Sequence, residues 1–179
     1  MAKNDGSETS EWNPIGTVVG NTTTSEYTFI LKSFMSRVGD LVTVRMQVPD
    51  DLHEKRNTIY VWGRIISIQR YNPFFPYEAA QELSEEGLSL NDTILSNSRD
   101  QLEAQVLILG CTPESGKFGN LNPLTYPVQP AAEVCYPPAH AVRELLAGGI
   151  PGHTSLHIGT LIARGDVRVA ISADRVISR

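Results

Sequence analysis

The stretch His157-Ile-Gly-Thr-Leu-Ile-Ala-Arg-Gly-Asp-Val-Arg-Val-Ala-Ile-Ser-Ala-Asp-Arg-Val-Ile-Ser-Arg179 decides the fold class of this chain. Its first part, Ile158 to Ala163, is an apolar run with β-branched residues, and Arg164-Gly165-Asp166 supplies the glycine that a short turn favours. From Val167 to Ala173, apolar residues alternate with other residues, which is the period of a half-buried strand. The stretch therefore predicts two strands joined by a tight turn.

The rest of the chain repeats this strand pattern between glycine and proline turns. Strands are predicted over residues 15–20, 26–34, 41–48, 57–71 and 102–111. Gly63, in the middle of the longest of these strands, indicates a bulge or a sharp bend of the kind that closes a small barrel. Residues 127–138 hold four prolines, so we expect only an edge strand or an extended segment there. The pattern predicts a mainly β fold, a small closed or partly open β-barrel.

Two helices are predicted as insertions in this barrel. Residues 77–87 are rich in Ala, Gln, Glu and Leu before a glycine, and a helical insertion over about residues 77–100 is expected. Residues 139–147 carry an apolar face and end at a glycine pair, which predicts a short helix. The predicted organisation is a disordered lead at 1–14, a barrel domain at 15–173, and the start of a linker at 174–179.

Composition and charge narrow the function classes. The chain has 179 residues, of which 41% are hydrophobic and 20% charged, so it predicts one globular domain. Its net charge of −5 is opposite in sign to that of proteins that bind nucleic-acid phosphates through their overall positive charge. No apolar stretch reaches the roughly 18 residues of a membrane span, and no signal-like run precedes the first strand. Cys111 and Cys135 are therefore predicted to be free thiols of a cytoplasmic protein.

Five segments carry a resemblance to a known family. They are Ile15-Gly-Thr-Val-Val-Gly20, Thr23-Thr-Ser-Glu26, Arg37-Val-Gly-Asp-Leu-Val42, Ile158-Gly-Thr-Leu-Ile162 and Val167-Arg-Val-Ala-Ile171. In this order, over residues 15–72 and 101–179, they resemble the N-terminal barrel of HerA-type DNA translocases, which are hexameric ATPases of the FtsK–HerA group. The resemblance implies a HAS-barrel, the barrel type shared with ATP synthase subunits, cut just before a motor domain. A frayed terminus is the alternative explanation for the last residues.

What the resemblance implies about function is an assembly role without catalysis. The barrel would form a hexameric ring with copies of itself, dock a NurA-type nuclease, and pass double-stranded DNA through the ring during DNA end resection and double-strand break repair. No membrane is implied. This chain would hold no cofactor, whereas ATP and Mg²⁺ would bind in the missing motor domain. Arg175 and Arg179 lie where the family's linker enters the motor, so they are candidate linker contacts.

An aromatic segment, Tyr71-Asn-Pro-Phe-Phe-Pro-Tyr77, follows the longest predicted strand. Exposed aromatic residues are enriched at interfaces, so Tyr71, Phe74, Phe75 and Tyr77 are candidates for a partner or subunit interface. The alternative is that these side chains close one end of the barrel as part of its core.

No catalytic, cofactor-binding or metal-binding residues are predicted. The segment Gly110–Phe118 superficially resembles a nucleotide-binding loop, but it has one residue too many between its glycines and lacks the hydroxyl after Lys117. His153 and His157 have a helical zinc spacing in a sequence that does not favour helix. The alternative function is a stand-alone OB-like module that binds a ligand or a nucleic acid. Such a module needs a basic groove with aromatic residues.

Overall fold

The computed structural model describes residues 12–32, 36–49, 56–71, 101–114, 118–148, 150 and 154–177. The described strands are β1 (Asn13–Val19), β2 (Glu26–Leu31), β3 (Leu41–Pro49), β4 (Arg56–Tyr71), β5 (Gln101–Pro113), β6 (Glu133–Tyr136), β7 (Ser155–Thr160) and β8 (Arg168–Ser172). The helices are α1 (Ala139–Ala147) and α2 (Ala173–Ile177). Neither of these helices has the length and apolar character needed to cross a membrane.

Six of these strands form a closed antiparallel barrel in the order β1-β2-β5-β4-β3-β6. The predicted mainly β barrel is therefore confirmed. The long strands β4 and β5 pair along most of their length, from Ile59 with Pro113 to Tyr71 with Gln101. Because alternate side chains of a strand point to opposite faces, the alternating residues identified in the sequence line the barrel interior on one face.

The barrel interior is filled by apolar side chains from every strand. Phe29, Val44, Val61 and Val106 are fully buried there, together with Tyr27. Apolar burial of this kind stabilises by about 25 cal/mol per Å² of surface removed from water.

Gly63 does mark an irregularity in β4, as predicted. The register between β4 and β5 shifts between Trp62 and Gly63. A Cβ atom at Gly63 would collide with Cγ1 of Val106 and lie 3.2 Å from the carbonyl oxygen of Leu107. Glycine is therefore required because β5 crosses close to the β4 backbone at this bend.

A second core covers the outer face of β4. Tyr60 and Trp62 point away from the barrel interior and are buried against α1 through Ala141 and Val142. Helix α1 has the predicted bounds, and Gly148 ends it in a left-handed conformation with φ of 53°. The helix predicted within residues 77–100 lies outside the described residues.

β6 corrects the expectation of an edge strand or an extended segment. It pairs with β1 on one side and with β3 on the other. All four prolines of this segment, at 127, 130, 137 and 138, lie outside Glu133–Tyr136, so no ladder hydrogen bond of the strand is lost. At the other end of the chain, β1 begins two residues earlier than predicted, because Asn13 pairs with Tyr136.

The C-terminal hairpin, β7–β8, is a two-stranded sheet of its own. Its first strand ends at Thr160 rather than at Ala163, because Leu161 leaves the strand to pack against the second core. The backbone N–H of Leu161 donates to the carbonyl of Val167 at 3.0 Å, which closes the turn. Residues 173–177, where the strand exit and the start of a linker were expected, form the short helix α2.

Candidate functional site: the groove along β3

A groove of about 800 Å³ lies on the outside of the barrel along β3. It is referred to below as the β3 groove. Its lining residues are Trp12, Thr43, Arg45, Met46, Gln47, Pro49, Arg56, Thr58, Tyr60, Gln129, Glu133 and Cys135. The volume lies within the range of about 300–1,000 Å³ that is common for ligand sites.

Strand alternation places the polar residues of the groove. Val42, Val44 and Met46 face the barrel core, so Thr43, Arg45 and Gln47 face outward and form the floor of the groove. Along one side lie outward-facing residues of β4, from Arg56 to Tyr60, and along the other side lie Gln129, Glu133 and Cys135.

An aromatic cluster forms one end of the groove. The ring of Trp12 stacks on Tyr60 with centroids 4.4 Å apart and nearly parallel planes. Trp62 and Phe118 meet Trp12 edge-on at 6.3 and 6.0 Å. Burial, with a smaller contribution from the Glu114 carboxylate, raises the pKa of Tyr60, so its phenol stays neutral. Trp12 thus fastens the start of the described chain across the barrel wall.

The charged groups of the groove differ in how they are satisfied. Nη2 of Arg45 lies 2.7 Å from Oε1 of Glu114, and Nζ of Lys32 lies 3.4 Å from Oε1 of Glu133. Both pairs are exposed, so each contributes at most about 1 kcal/mol. Arg56 has no ion-pair partner among the residues that the structure describes. The guanidinium of Arg56 therefore places a positive charge at the end of the groove away from the aromatic cluster.

The thiol in the groove is not an activated nucleophile. Burial raises the pKa of Cys135, and the nearby Glu133 carboxylate raises it further. Burial also raises the pKa of Cys111. Both thiols are therefore protonated at neutral pH, and both are free, as predicted. Within the described ranges, no three His, Cys, Asp or Glu side chains lie close enough together to hold a metal ion.

The hairpin is attached to the barrel beside this groove by a polar junction. The Tyr136 hydroxyl donates to Oδ2 of the buried Asp40, which also accepts the backbone N–H of Arg37 at 2.8 Å. Arg164, in the hairpin turn, donates to the carbonyl of Pro137 at 3.1 Å. Its guanidinium also bonds Asp166 and holds the pKa of that carboxyl below its usual range.

This junction predicts a loss of stability at alkaline pH. Burial, and then the hydrogen bond to Asp40, raises the pKa of Tyr136 from its ordinary value of 10.0 to about 12. A raised folded-state pKa means that the stabilisation is complete below about pH 10 and is lost between about pH 10 and 12, since only the neutral phenol fits the folded site. In urea titrations, the wild type should lose about 1–2 kcal/mol more than Tyr136→Phe over this interval, after allowance for partial exposure. The Tyr27 phenol, whose pKa burial also raises, is kept in both proteins. Equal losses would contradict the assignment to Tyr136.

The predicted interface and linker residues are only partly covered by the structure. Tyr71 is the last residue of β4, where it pairs with Gln101, and its side chain lies outside the described residues. Four further candidates lie entirely outside the described residues: Phe74, Phe75, Tyr77 and Arg179. Arg175 lies in α2, and its side chain is outside the described part. These interface and linker assignments stay predictions.

The described parts of the two motifs that were weighed as chemistry lie in strands or in turns. β5 continues through Gly110 to Pro113, and Cys111 pairs with Asn122, whose carbonyl accepts the Cys111 N–H at 2.8 Å. This segment is thus a strand that turns back on itself, as a hairpin turn requires, and Ser115–Lys117 lie outside the described residues. His157 lies in β7 and His153 outside the description, so the i, i+4 helical geometry is not formed at His157.

Sequence reasoning missed the groove residues Trp12, Arg45, Arg56 and Tyr60. A signal existed in Trp12, a lone aromatic residue in an otherwise polar lead. Its partner could not be identified from the sequence, because the stacking depends on how the barrel closes.

A comparison with protein-family models finds no match for this chain, and a comparison with curated proteins finds none either.

Proposed function

We propose that this chain is a non-catalytic assembly and partner-docking barrel of the kind found in HerA-type DNA translocases. The observation that carries the proposal is the apolar surface of the hairpin and α2, called here the hairpin surface. Its five large apolar side chains have exposed fractions between 51% and 107%; they are Leu156, Ile158, Ile162, Val176 and Ile177. Apolar side chains exposed to this extent on one structural unit are typical of protein interfaces.

The way in which the hairpin is held supports this proposal. A two-stranded sheet alone is marginally stable in water. Here Val167 is fully buried in the second core, Leu161 packs beside it, and Arg164 bonds the Pro137 carbonyl. The barrel therefore presents the hairpin on a fixed base while its apolar residues face outward. A rigid scaffold that carries exposed apolar residues is suited to docking.

The resemblance gives the proposal its specific content. Residues 158–162 and 167–171 of the hairpin are among the segments that resemble HerA-type translocases. We accordingly propose a hexameric ring of this chain's parent protein in the cytoplasm, a NurA-type nuclease as partner, and double-stranded DNA passing through the ring in end resection and break repair. ATP and Mg²⁺ would be used by a motor domain, with Arg175 and Arg179 contacting it.

The first experiment is to read the coding sequence past Arg179. The proposal expects a Gly-x-x-x-x-Gly-Lys-Ser/Thr segment within about 15 further codons. A stop codon directly after Arg179 would favour the alternative, a stand-alone OB-like module. Magnesium-dependent ATP hydrolysis by purified residues 1–179 would also contradict the proposal, which assigns no catalysis to this barrel.

The hairpin surface is tested by its effect on assembly. In the full gene product, the double substitution Ile158→Asp and Ile162→Asp should shift the molar mass from hexamer toward protomer, because two charges would be buried at the interface. Light scattering after gel filtration measures the mass, and about a tenfold higher dissociation concentration is expected.

A matched control separates interface loss from a general effect of surface charge. Leu109, on β5 of the barrel, is 41% exposed and distant in sequence from the hairpin surface. Leu109→Asp should leave the assembly unchanged. A hexamer that survives the double substitution, or that Leu109→Asp alone disrupts, would argue against the hairpin surface as the interface.

A further inference from the structure

We propose that the open edge of β3 in the β3 groove binds an extended, acidic segment of a partner protein by strand addition. This inference does not rest on the translocase proposal, since it concerns a different face of the barrel. It follows from the backbone pairing of β3, the direction of its free polar groups, and the charge beside them.

β3 is much less paired on its β6 side than on its β4 side. With β4 it forms nine residue pairs, from Leu41 with Arg64 to Pro49 with Arg56. With β6 it forms only two, Thr43 with Cys135 and Val44 with Val134. In the part of the chain that the structure describes, no strand pairs with the β6 side of β3 beyond Arg45. The barrel closes near Thr43 and opens along the second half of the strand.

The direction of the free backbone groups follows from neighbouring hydrogen bonds. The carbonyl of Asp40 accepts the N–H of Ile65, a β4 residue, at 2.9 Å. The N–H and C=O groups of successive residues point to alternate sides of a strand within the sheet. In β3, the backbone groups of even-numbered residues therefore point toward β4, and those of odd-numbered residues point toward the opposite side. The N–H and C=O of Gln47 therefore point into the groove. They offer the donor and the acceptor that an added strand requires.

The side chains next to this edge specify the chemistry of the added strand. Residues of that strand that lie opposite Met46 and Val48 would point toward the barrel core and contact these apolar side chains. The intervening residues would point outward, near Gln47 and the guanidinium of Arg56, which has no ion-pair partner in the described part of the chain. The groove thus fits a segment in which apolar residues alternate with Asp or Glu.

Two other occupants fit the groove less well. A single-stranded nucleic acid needs free aromatic faces for base stacking. The face of Tyr60 is covered by Trp12, and Trp62 is fully buried, so neither ring offers a free face to a base. A second copy of this chain that paired its own β3 edge with the first would bring no carboxylate from that strand to Arg56, because Leu41–Pro49 contains no acidic residue. An acidic peptide has neither difficulty.

The experiment selects ligands and then blocks the edge. A phage-displayed library of random 12-residue peptides is selected on the wild-type chain, and the affinities of synthetic copies are measured by calorimetry. Gln47→Pro removes the groove-facing N–H without removing a ladder bond to β4. Gln47→Thr keeps that N–H and is the matched control. We expect selected peptides to bind Gln47→Pro at least about tenfold more weakly and Gln47→Thr with little change.

A second pair of variants tests the charge and does not depend on how Gln47→Pro folds. Arg56→Glu should weaken the selected peptides about tenfold. Arg168→Glu, which changes an exposed arginine of β8, should not weaken them. Hydrogen exchange of the wild type should show the Gln47 amide exchanging fast in the free protein and slowly with bound peptide.

Several results would overturn the inference. They are a selection that yields no peptide, peptides that bind Gln47→Pro as well as they bind the wild type, and a Gln47 amide that is already protected in the free protein. A dimer that Gln47→Pro abolishes would make a second copy the occupant. Binding of a thymidine oligonucleotide that Arg56→Glu abolishes would make it a nucleic acid.

Discussion

Replacing Trp62 with alanine is expected to destabilise the protein by about 3–5 kcal/mol. The Trp62 side chain is fully buried between β4 and α1, where it also meets the edge of Trp12. Its indole Nε1–H donates to Oγ1 of the buried Thr112 at 2.9 Å. The substitution would therefore remove a large apolar contact, leave a cavity, and deprive Thr112 of its partner.

Urea unfolding, followed by tryptophan fluorescence and circular dichroism, measures this loss. Trp62→Phe separates the hydrogen-bond loss from most of the packing loss, because it keeps an aromatic ring in the core and removes the N–H donor; a loss of about 1–2 kcal/mol is expected. Hydrogen exchange adds a local readout. Val167 packs in the same core, so the amides of β7 and β8 should exchange faster in Trp62→Ala than in the wild type. The increase should exceed what the lower global free energy of unfolding of the variant alone would cause. A loss below about 1 kcal/mol would show that the second core does not stabilise the fold.

The parts of the fold that the sequence predicted are those set by local patterns. Alternating residues predicted the barrel strands, and the apolar face of residues 139–147 predicted α1. Gly63 predicted the irregularity in β4. Each depends on side-chain direction or backbone freedom within a few residues. Such signals are readable in one sequence.

The parts that the sequence did not predict depend on contacts distant along the chain. Tyr60 and Trp62 lie on the outward face of β4, and nothing in their neighbourhood shows that α1 and Trp12 cover them. The proline content of residues 127–138 suggested an edge strand, whereas β6 closes the barrel there. The number of prolines does not show that the four residues Glu133–Tyr136 are free of them and can pair on both sides. Among the described residues, β3 is left open along its second half because β6 has only four residues and pairs with β3 at two of them. The groove therefore could not be found before the topology was known.

The second large effect is expected for Gly63→Ala, which should destabilise the barrel by about 1–3 kcal/mol or more. The added methyl group would collide with Cγ1 of Val106, whose side chain is fully buried and stiff about its first torsion angle. It would also lie 3.2 Å from the Leu107 carbonyl oxygen, so β5 would have to move away from β4. Chemical unfolding measures the loss. Gly165→Ala is the matched control, because no heavy atom of the described residues, its two chain neighbours aside, lies within 4 Å of its added Cβ.

Coupling between Gly63 and Val106 tests the cause of this loss. If the collision is responsible, Val106→Ala should relieve part of it, and the double variant should lose less stability than the sum of the two single variants. A coupling of about 1 kcal/mol or more is expected, since the two positions are in direct contact across β4 and β5. Additive losses would instead mean that the Val106 side chain is not what excludes a methyl group at position 63. In that case the Leu107 carbonyl oxygen, 3.2 Å from the added Cβ, would be the contact that requires glycine.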